Sequence, residues 1–518
     1  MKLIKRLIIT AMLMFVPLSV KLTSYLFYSR SGSIFLKHNV ARADIIDSDG
    51  VILATTIPTK SIYIIPYEII EKKETLIESF SSILNVPKEY IEAKLNSKSR
   101  KFVWIIRHIA PWQAAAIAKL SYCGVYVAKD MRRFYPLGGL FTHIVGRVDS
   151  ENNGISGIES AFDSRLKSNN EPLKLALKAS VQSIMKEILD EGKKDFDAKA
   201  VQGMIVCAKT GRILASYSNA EDVESNPHEN YKLDGSSINL NTQSVFEFGS
   251  IFKVINVSML LHNKAATLTT KLFAPAAWKL GKFTVKDFMR TRDCEYTFTE
   301  AFIKSSNIVM GKLTEQVGIE KQVEFFNLCG FFDKMQIDGL QIVQGIFPNP
   351  WTRMSGITAS YGYGIAVTAA HYVRALLRIS TGYNREIHIL NDFEAVPEEK
   401  IIQDQTSRNV CYLLREAFKS TSMGKKYEIA GYNIAGKTGT ANKLKNGKYV
   451  EKCNRCSYVF VFPEDDPQII GFVVIDEPKP SAKTFGFATA GWSAAPLACK
   501  IIARIIPILG ITKSKVIS

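Results

Sequence analysis

From about residue 176 onward, the strand-like stretches of this chain sit at its two ends and the helical stretches fill the middle. That order restricts the fold more than any other feature. Residues 203–208 and 212–217 read as strands joined by a hairpin turn at Lys209-Thr210-Gly211, and 432–441, 457–462 and 468–476 read as strands near the far end. Helices are expected over 179–189, over 308–317, from 368 to 379 and over 492–506. An antiparallel sheet assembled from both ends of a domain, with helices packed on it, satisfies this order. The expected class is α+β.

Within the helical middle, residues 246–253 read Phe-Glu-Phe-Gly-Ser-Ile-Phe-Lys, with an apolar run over 254–261 behind them. Residues three apart on a helix share a face, so the Lys253 amine falls within reach of the Ser250 hydroxyl. A serine hydroxyl becomes a useful nucleophile when an adjacent base takes its proton, and burial makes a lysine amine such a base. The helix start adds unpaired N–H groups and a positive dipole end suited to an oxyanion. Ser250 is therefore read as an acyl-transfer nucleophile.

Ser-x-x-Lys alone is a weak signal, because it recurs at Ser164–Lys167, Ser183–Lys186 and Ser422–Lys425. Order supplies the specificity. Ser250-x-x-Lys253 is followed by Ser305-x-Asn307 and Lys437-Thr438-Gly439, at separations of 305 − 250 = 55 and 437 − 305 = 132 residues. Copies of the second and third patterns at 168–170, 237–239 and 209–211 all precede Ser250. Thr297 to Glu300 fits a capping box opening a short helix, which leaves Ser305-Ser306-Asn307 as an inter-helix loop. None of the seven histidines adjoins a nucleophile-elbow pattern, and no His-Glu-x-x-His is present.

Ahead of this unit, residues 29–175 alternate short apolar strands with polar turns and form no catalytic constellation. Residues 45–54 read as a hairpin around Asp49-Gly50, and helices opening with proline are expected over 87–95 and 111–120. His143 is read as a structural hydrogen-bonding residue. At the start, Lys2, Lys5 and Arg6 precede an apolar span over 7–28 interrupted only by Lys21. Its length suits a single membrane crossing with residues 1–6 inside and the bulk exported. No Ala-x-Ala-like site follows it, so an uncleaved anchor is expected rather than a signal peptide.

The 518 residues are 47% apolar and 22% charged, a globular composition sufficient for two or three domains. The net charge of +17 suits an anionic surface or polymer, or simply a basic solvated face. No run of five like charges, zinc-finger spacing or ribonucleoprotein motif points to nucleic acid. Eight scattered cysteines do not form a disulfide framework. Cys453 and Cys456 form one Cys-x-x-Cys, read as a polar loop bearing either a local disulfide or two free thiols.

The ordered motif set resembles that of class A β-lactamases and penicillin-binding proteins. Residues 246–253 resemble that family's aromatic-Glu-Pro-Gly-Ser-Thr-x-Lys, and 435–441 (Ala-Gly-Lys-Thr-Gly-Thr-Ala) match its third motif closely. Residues 42–54 resemble the opening of class B penicillin-binding proteins, and 133–146 and 154–166 look like the division-specific, FtsI-type branch. The resemblance covers essentially the whole chain. It implies a transpeptidase domain over 176–518, with an antiparallel sheet, helices on both faces and an all-helical subdomain. It also implies a non-catalytic, dimerisation-type pedestal over 29–175.

The implied activity is that of a peptidoglycan D,D-transpeptidase without cofactor or metal. It would act on D-Ala-D-Ala stem peptides and be acylated by β-lactams. Ser250 is implied as nucleophile, Lys253 as base, Ser305 as proton relay and Asn307 as an orienting amide for Lys253 and substrate. Lys437, Thr438 and Thr440 would bind the substrate carboxylate, Gly439 would let a substrate strand lie close, and the N–H groups of Ser250 and Thr440 would form the oxyanion hole. The implied place is the bacterial inner membrane, catalytic domain outside, among division proteins including an FtsW-type membrane glycosyltransferase. Two departures stand out: Phe248 replaces the usual proline, which is expected to relax the turn, and Ala43 and Ser48 replace glycine and arginine in the pedestal opening. A D,D-carboxypeptidase, a β-lactamase and a non-enzymatic penicillin-binding scaffold are the alternatives.

Overall fold

The computed structural model of the chain describes residues 41–96, 102–168, 170–220, 238–288, 292–392, 398–445, 447–481 and 484–514. The tail and anchor expected over 1–28 lie outside these residues. Among the described residues, no helix is long and apolar enough to cross a membrane. The chain divides into two compact units, one containing Thr56–Phe134 and the other Ala43–Thr55 with Tyr135 onward. Residues 135–175, read from the sequence with the pedestal, group with the later chain. Leu140, Ile144, Ile158, Leu166, Leu173 and Leu175 are buried in the same apolar cluster as Met204 and Phe246.

In the first unit, residues 60–64 of the long strand Ile52–Ile64 pair with Val103–Ile109 in antiparallel register, Ile62 opposite Ile106. Helices Lys73–Leu84, Lys88–Leu95 and Pro111–Leu120 share a core with that sheet built from Ile62, Ile64, Phe80, Ile91, Ile105 and Ile117. The two proline-headed helices form as expected. Pro87 caps one and Pro111 occupies the first position of the other, where a missing N–H leaves nothing unpaired. One buried charge is fully dressed. Asp130 accepts from Arg107 Nε at 2.9 Å and Nη2 at 3.0 Å, and from Ser61 Oγ at 2.5 Å. Burial alone would raise its pKa, but these donors hold it down at about 2.

The second unit carries a five-stranded antiparallel sheet in the spatial order Ala435–Lys445, Lys448–Phe462, Ile469–Asp476, Ala200–Cys207, Ile213–Ala220. Strands from both ends of the unit therefore meet, as the sequence order predicts. Successive side chains on a strand point to opposite faces, and both faces here are covered. Val201, Ile205, Phe460, Val473 and Ile475 pack with the helices Ala179–Asp195 and Ala494–Leu509. Met204, Val459, Phe472 and Val474 pack on the other side with Phe248, Ile251 and the helices Lys253–His262 and Ala369–Thr381. Double-sided burial explains why Ile469–Asp476 reads as an unbroken apolar run rather than an alternating one.

Some expectations are corrected. The strand expected over 457–462 begins at Lys448, because it forms a hairpin with Ala435–Lys445 whose tip pairs Lys445 with Lys448. The outer part of that hairpin is polar and exposed around Tyr449, so no buried face marks it as a strand in the sequence. Cys453 and Cys456 thus lie in a strand, not a loop, and both are free thiols. Three residues along a strand span about 10 Å and reverse the side-chain direction, which keeps the pair apart. Short hairpins also interrupt the helical middle, such as Lys271–Ala274 with Cys294–Thr297 and Trp278–Leu280 with Phe283–Val285.

Candidate active site

The nucleophile sits at the mouth of a buried helix. Gly249–Phe252 form one 3-10 turn that runs directly into Lys253–His262. Gly249 has φ +56°, and a Cβ there would stand 3.0 Å from the Ala441 Cβ, so the turn needs glycine for conformation and space. Phe248 does not relax this turn. Its ring is buried, stacks on Tyr372 with centroids 4.8 Å apart and meets Phe472 edge-on at 5.5 Å. The Tyr372 hydroxyl donates to Ile251 O at 2.7 Å and pins the turn from beneath. An aromatic wedge replaces the conformational restriction a proline would supply.

Ser250 is half-buried, whereas Lys253 is fully buried. Lys253 Nζ lies 3.1 Å from Ser250 Oγ, 2.8 Å from Ser305 O and 3.0 Å from Ser305 Oγ. Burial pushes this amine well below the usual lysine range, and the neighbouring Lys437 charge acts in the same direction while Asp287 opposes it. The free-base form is thereby favoured. In its free-base form the amine keeps one lone pair able to accept the Ser250 hydroxyl proton, with N–H groups left to donate to the Ser305 oxygens.

Ser305 comes from the second motif. The expected capping box opens the preceding helix Phe298–Ile303: Thr297 N donates to Glu300 Oε2 at 2.8 Å, and Glu300 N donates to Thr297 Oγ1 at 3.2 Å. After this helix Ser305 takes a left-handed conformation, φ +57°. The N-cap of the next helix, Asn307–Val317, is Ser306, whose Oγ accepts from Val309 N at 3.1 Å. Asn307 is half-buried and its amide nitrogen donates to Lys286 O at 2.9 Å. The structure does not bring its amide onto Lys253, because the polar contacts of Lys253 are already made by the two serines.

The third motif lies on Ala435–Lys445, the edge strand of the sheet, whose outer side has no neighbouring strand among the described residues. Lys437 is buried, and its Nζ donates to Thr438 O at 3.1 Å and to Ser305 Oγ at 3.4 Å. Burial lowers its pKa to about 8, so it stays mostly charged at neutral pH. Thr438 and Thr440 are half-buried, and Thr440 Oγ1 accepts from Ala490 N at 3.1 Å. Gly439 has a different reason from the one expected. A Cβ there would stand 2.9 Å from Ile251 N and Cγ2 and 3.0 Å from Phe248 O, so its missing side chain lets the strand press against the nucleophile turn.

Ser250, Lys253, Ser305 and Lys437 thus form one connected cluster, with a buried amine of lowered pKa at the nucleophile and a cation one relay away. That arrangement suits attack on a carbonyl next to a negatively charged group. Sequence reasoning missed three supporting groups. Tyr372 carried no local signal. Glu247, inside the quoted motif, accepts from Gly364 N at 2.6 Å and from Tyr449 OH at 3.0 Å. Asp287 follows a hairpin that the sequence did not announce. His143 lies in the same unit with its Nε2 2.8 Å from Ser216 O, and burial lowers its pKa to about 4.

Comparison with known proteins agrees with this geometry. Residues 159–503, more than half of the chain, match the family described as penicillin binding protein transpeptidase domain, and residues 37–194 match the penicillin-binding protein dimerisation domain. The probable peptidoglycan D,D-transpeptidase FtsI of Caulobacter vibrioides is 28% identical over 488 residues, covering 91% of this chain and 82% of that protein. The peptidoglycan D,D-transpeptidase FtsI of Escherichia coli K12 is 25% identical over 494 residues, covering 87% and 82%. A peptidoglycan synthetase from Bifidobacterium adolescentis shares the fold, with TM-score 0.70 at 20% identity over 92% of this chain and 97% of that one. The chain belongs to the penicillin-binding protein transpeptidase family, in its class B, FtsI-type branch.

Proposed function

We propose that this chain cross-links peptidoglycan stem peptides through an acyl-enzyme on Ser250, and that β-lactams acylate the same oxygen. The observation that carries the reading is the fully buried amine of Lys253, its pKa lowered by that burial, at 3.1 Å from Ser250 Oγ. Lys253 takes the Ser250 proton as Oγ attacks the carbonyl of the penultimate D-Ala. The N–H groups of Ser250 and Thr440 receive the oxyanion, an effect worth roughly 10²–10³ in rate per donor. The proton passes through Ser305 to the leaving nitrogen, the C–N bond breaks, and the terminal D-Ala departs. An acceptor amine then attacks the ester, gives up a proton to Lys253 and returns the oxygen of Ser250 to its hydroxyl. Lys437, with Thr438 and Thr440, holds the terminal carboxylate. Asn307, whose nitrogen rests on Lys286 O, presents its amide oxygen to the N–H of the substrate amide.

The anchor-like span 7–28 and the FtsI names of the relatives support a place in septal wall synthesis at the inner membrane. In that setting the cytoplasmic end is short, the catalytic unit lies outside, and an FtsW-type glycosyltransferase supplies strands. The test is fluorescent-penicillin labelling of the full chain beside Ser250→Ala, followed by incubation with a stem pentapeptide and an acceptor. Labelling confined to the wild type, with free D-Ala and a cross-linked dimer, is expected. An equally labelled Ser250→Ala would overturn the nucleophile, and hydrolysed tetrapeptide without dimer would make the chain a carboxypeptidase.

A further inference from the structure

Asp287 stands two residues beyond the strand Phe283–Val285, is 9% exposed, and reaches the second motif from behind. Its Oδ2 accepts from Ser306 Oγ at 2.7 Å and its Oδ1 from Ile308 N at 3.0 Å. Ile308 N is one of the first N–H groups of the helix Asn307–Val317, which have no partner inside the helix, and the helix dipole favours a negative charge there. One carboxylate therefore grips both the residue after Ser305 and the opening turn of the helix that follows.

The clamp matters because Ser305 is strained. A residue with a Cβ held at φ +57° persists only where its surroundings over-determine it. On one side, Ser305 N donates to Phe302 O at 3.0 Å and Ser306 N to Ala301 O at 2.9 Å. On the other side stands Asp287. Between them, Ser305 turns both its carbonyl and its hydroxyl toward Lys253, at 2.8 and 3.0 Å. Relaxing Ser305 to an ordinary conformation would swing at least one of these oxygens away.

We propose that Asp287 is a positioning residue of the acyl-transfer site, holding Ser305 in its strained conformation against Lys253 and setting a negative charge near that buried amine. This rests on the reading of Ser250 and Lys253 as the acylating pair. The groups that act on Lys253 are Ser250 on its own helix, Ser305 from the inter-helix turn, Lys437 from the edge strand and Asp287. Lys437 pushes the amine toward its free-base form and Asp287 toward its charged form. Removing the carboxylate charge therefore lowers the pH at which Lys253 becomes a base.

The experiment measures the second-order rate of acylation of the full chain by fluorescent penicillin from about pH 5 to 9, with thermal melts to confirm folding. Asp287→Ala is expected to acylate at least about tenfold more slowly at neutral pH, as misplaced catalytic groups do. Asp287→Asn keeps an oxygen for Ile308 N–H and an amide for Ser306 Oγ, so it should recover most of that rate. Its acidic limb should nevertheless shift to lower pH, which a merely structural role would not produce. Should Asp287→Ala fail to fold, Ser306→Ala removes one grip without touching charge, and it should slow acylation several-fold with the limb unmoved. A wild-type rate in Ser306→Ala or in folded Asp287→Ala overturns the positioning role, and an unmoved limb in Asp287→Asn overturns the electrostatic one. Either result beside Ser250-dependent labelling of the wild type leaves the acyl-transfer reading intact, whereas loss of that dependence is the failure of the reading itself.

Discussion

Replacing Gly439 by alanine tests whether the edge strand and the nucleophile turn are held in fixed apposition. A Cβ at position 439 would lie 2.9 Å from Ile251 N and Cγ2 and 3.0 Å from Phe248 O. Ordinary contact begins near 3.4 Å, so the strand and turn must part by at least 3.4 − 2.9 = 0.5 Å. The turn cannot yield easily, because Tyr372 holds Ile251 O at 2.7 Å and Phe248 is locked between Tyr372 and Phe472. Overpacking of this kind costs about 1–3 kcal/mol. The functional loss should be larger than the stability loss suggests. Ser250 and Lys253 move together on one element, but Lys437 and Thr440 ride on the strand. The Lys437–Ser305 contact, already 3.4 Å, would open, and with it the spacing between the Ser250 and Thr440 N–H groups. A misplacement of about 1 Å can cost on the order of 10²-fold in rate, so half that distance should cost roughly tenfold. The assay is the fluorescent-penicillin acylation rate beside a thermal melt, with Gly139→Ala as control, since a Cβ there meets nothing within 4 Å. A Gly439→Ala chain that acylates at the wild-type rate would refute the close-packing explanation.

The Lys437 amine, with its pKa lowered to about 8, should impose an alkaline limb on acylation. Its charge is present below that pH and is lost as pH rises through it, so the rate should fall there. Arginine stays charged, so Lys437→Arg should abolish the limb even where the overall rate drops; a limb that persists in that variant would assign it to another group. Phe248→Ala removes a ring only 1% exposed and should destabilise the fold by about 3–5 kcal/mol in denaturant unfolding, with slower acylation as the turn loosens. A loss under about 1 kcal/mol would mean the aromatic wedge does not hold the turn.

Much of the site is legible in the sequence. Ser250, Lys253, Ser305 and Lys437 are marked by short spacings and chain order, because each motif is bound to one local element: a helix mouth, an inter-helix turn and a strand. The sheet was legible for a related reason. Burial on both faces leaves apolar runs such as Ile469–Asp476 that solvent-exposed segments do not carry. The hairpin tip around Lys448, exposed and polar, has no such face and stayed hidden.

Local pattern determined which residues belong to the chemistry, and only tertiary contact decided what each one does there. The motif makes Asn307 an orienting amide for Lys253 and substrate, and only the fold shows that its nitrogen donates to Lys286 O. Gly439 was assigned to the substrate, yet the space beside it is filled by Ile251 and Phe248. Asp287 and Tyr372 lie 37 and 122 positions from Ser250 (287 − 250 and 372 − 250), with no periodicity linking them to it. Both act through hydrogen bonds that form only when distant segments pack together. A sequence records the period of an element and the order of motifs. Distances between segments remote along the chain, and the pKa shifts that follow from burial, exist only once the chain has folded.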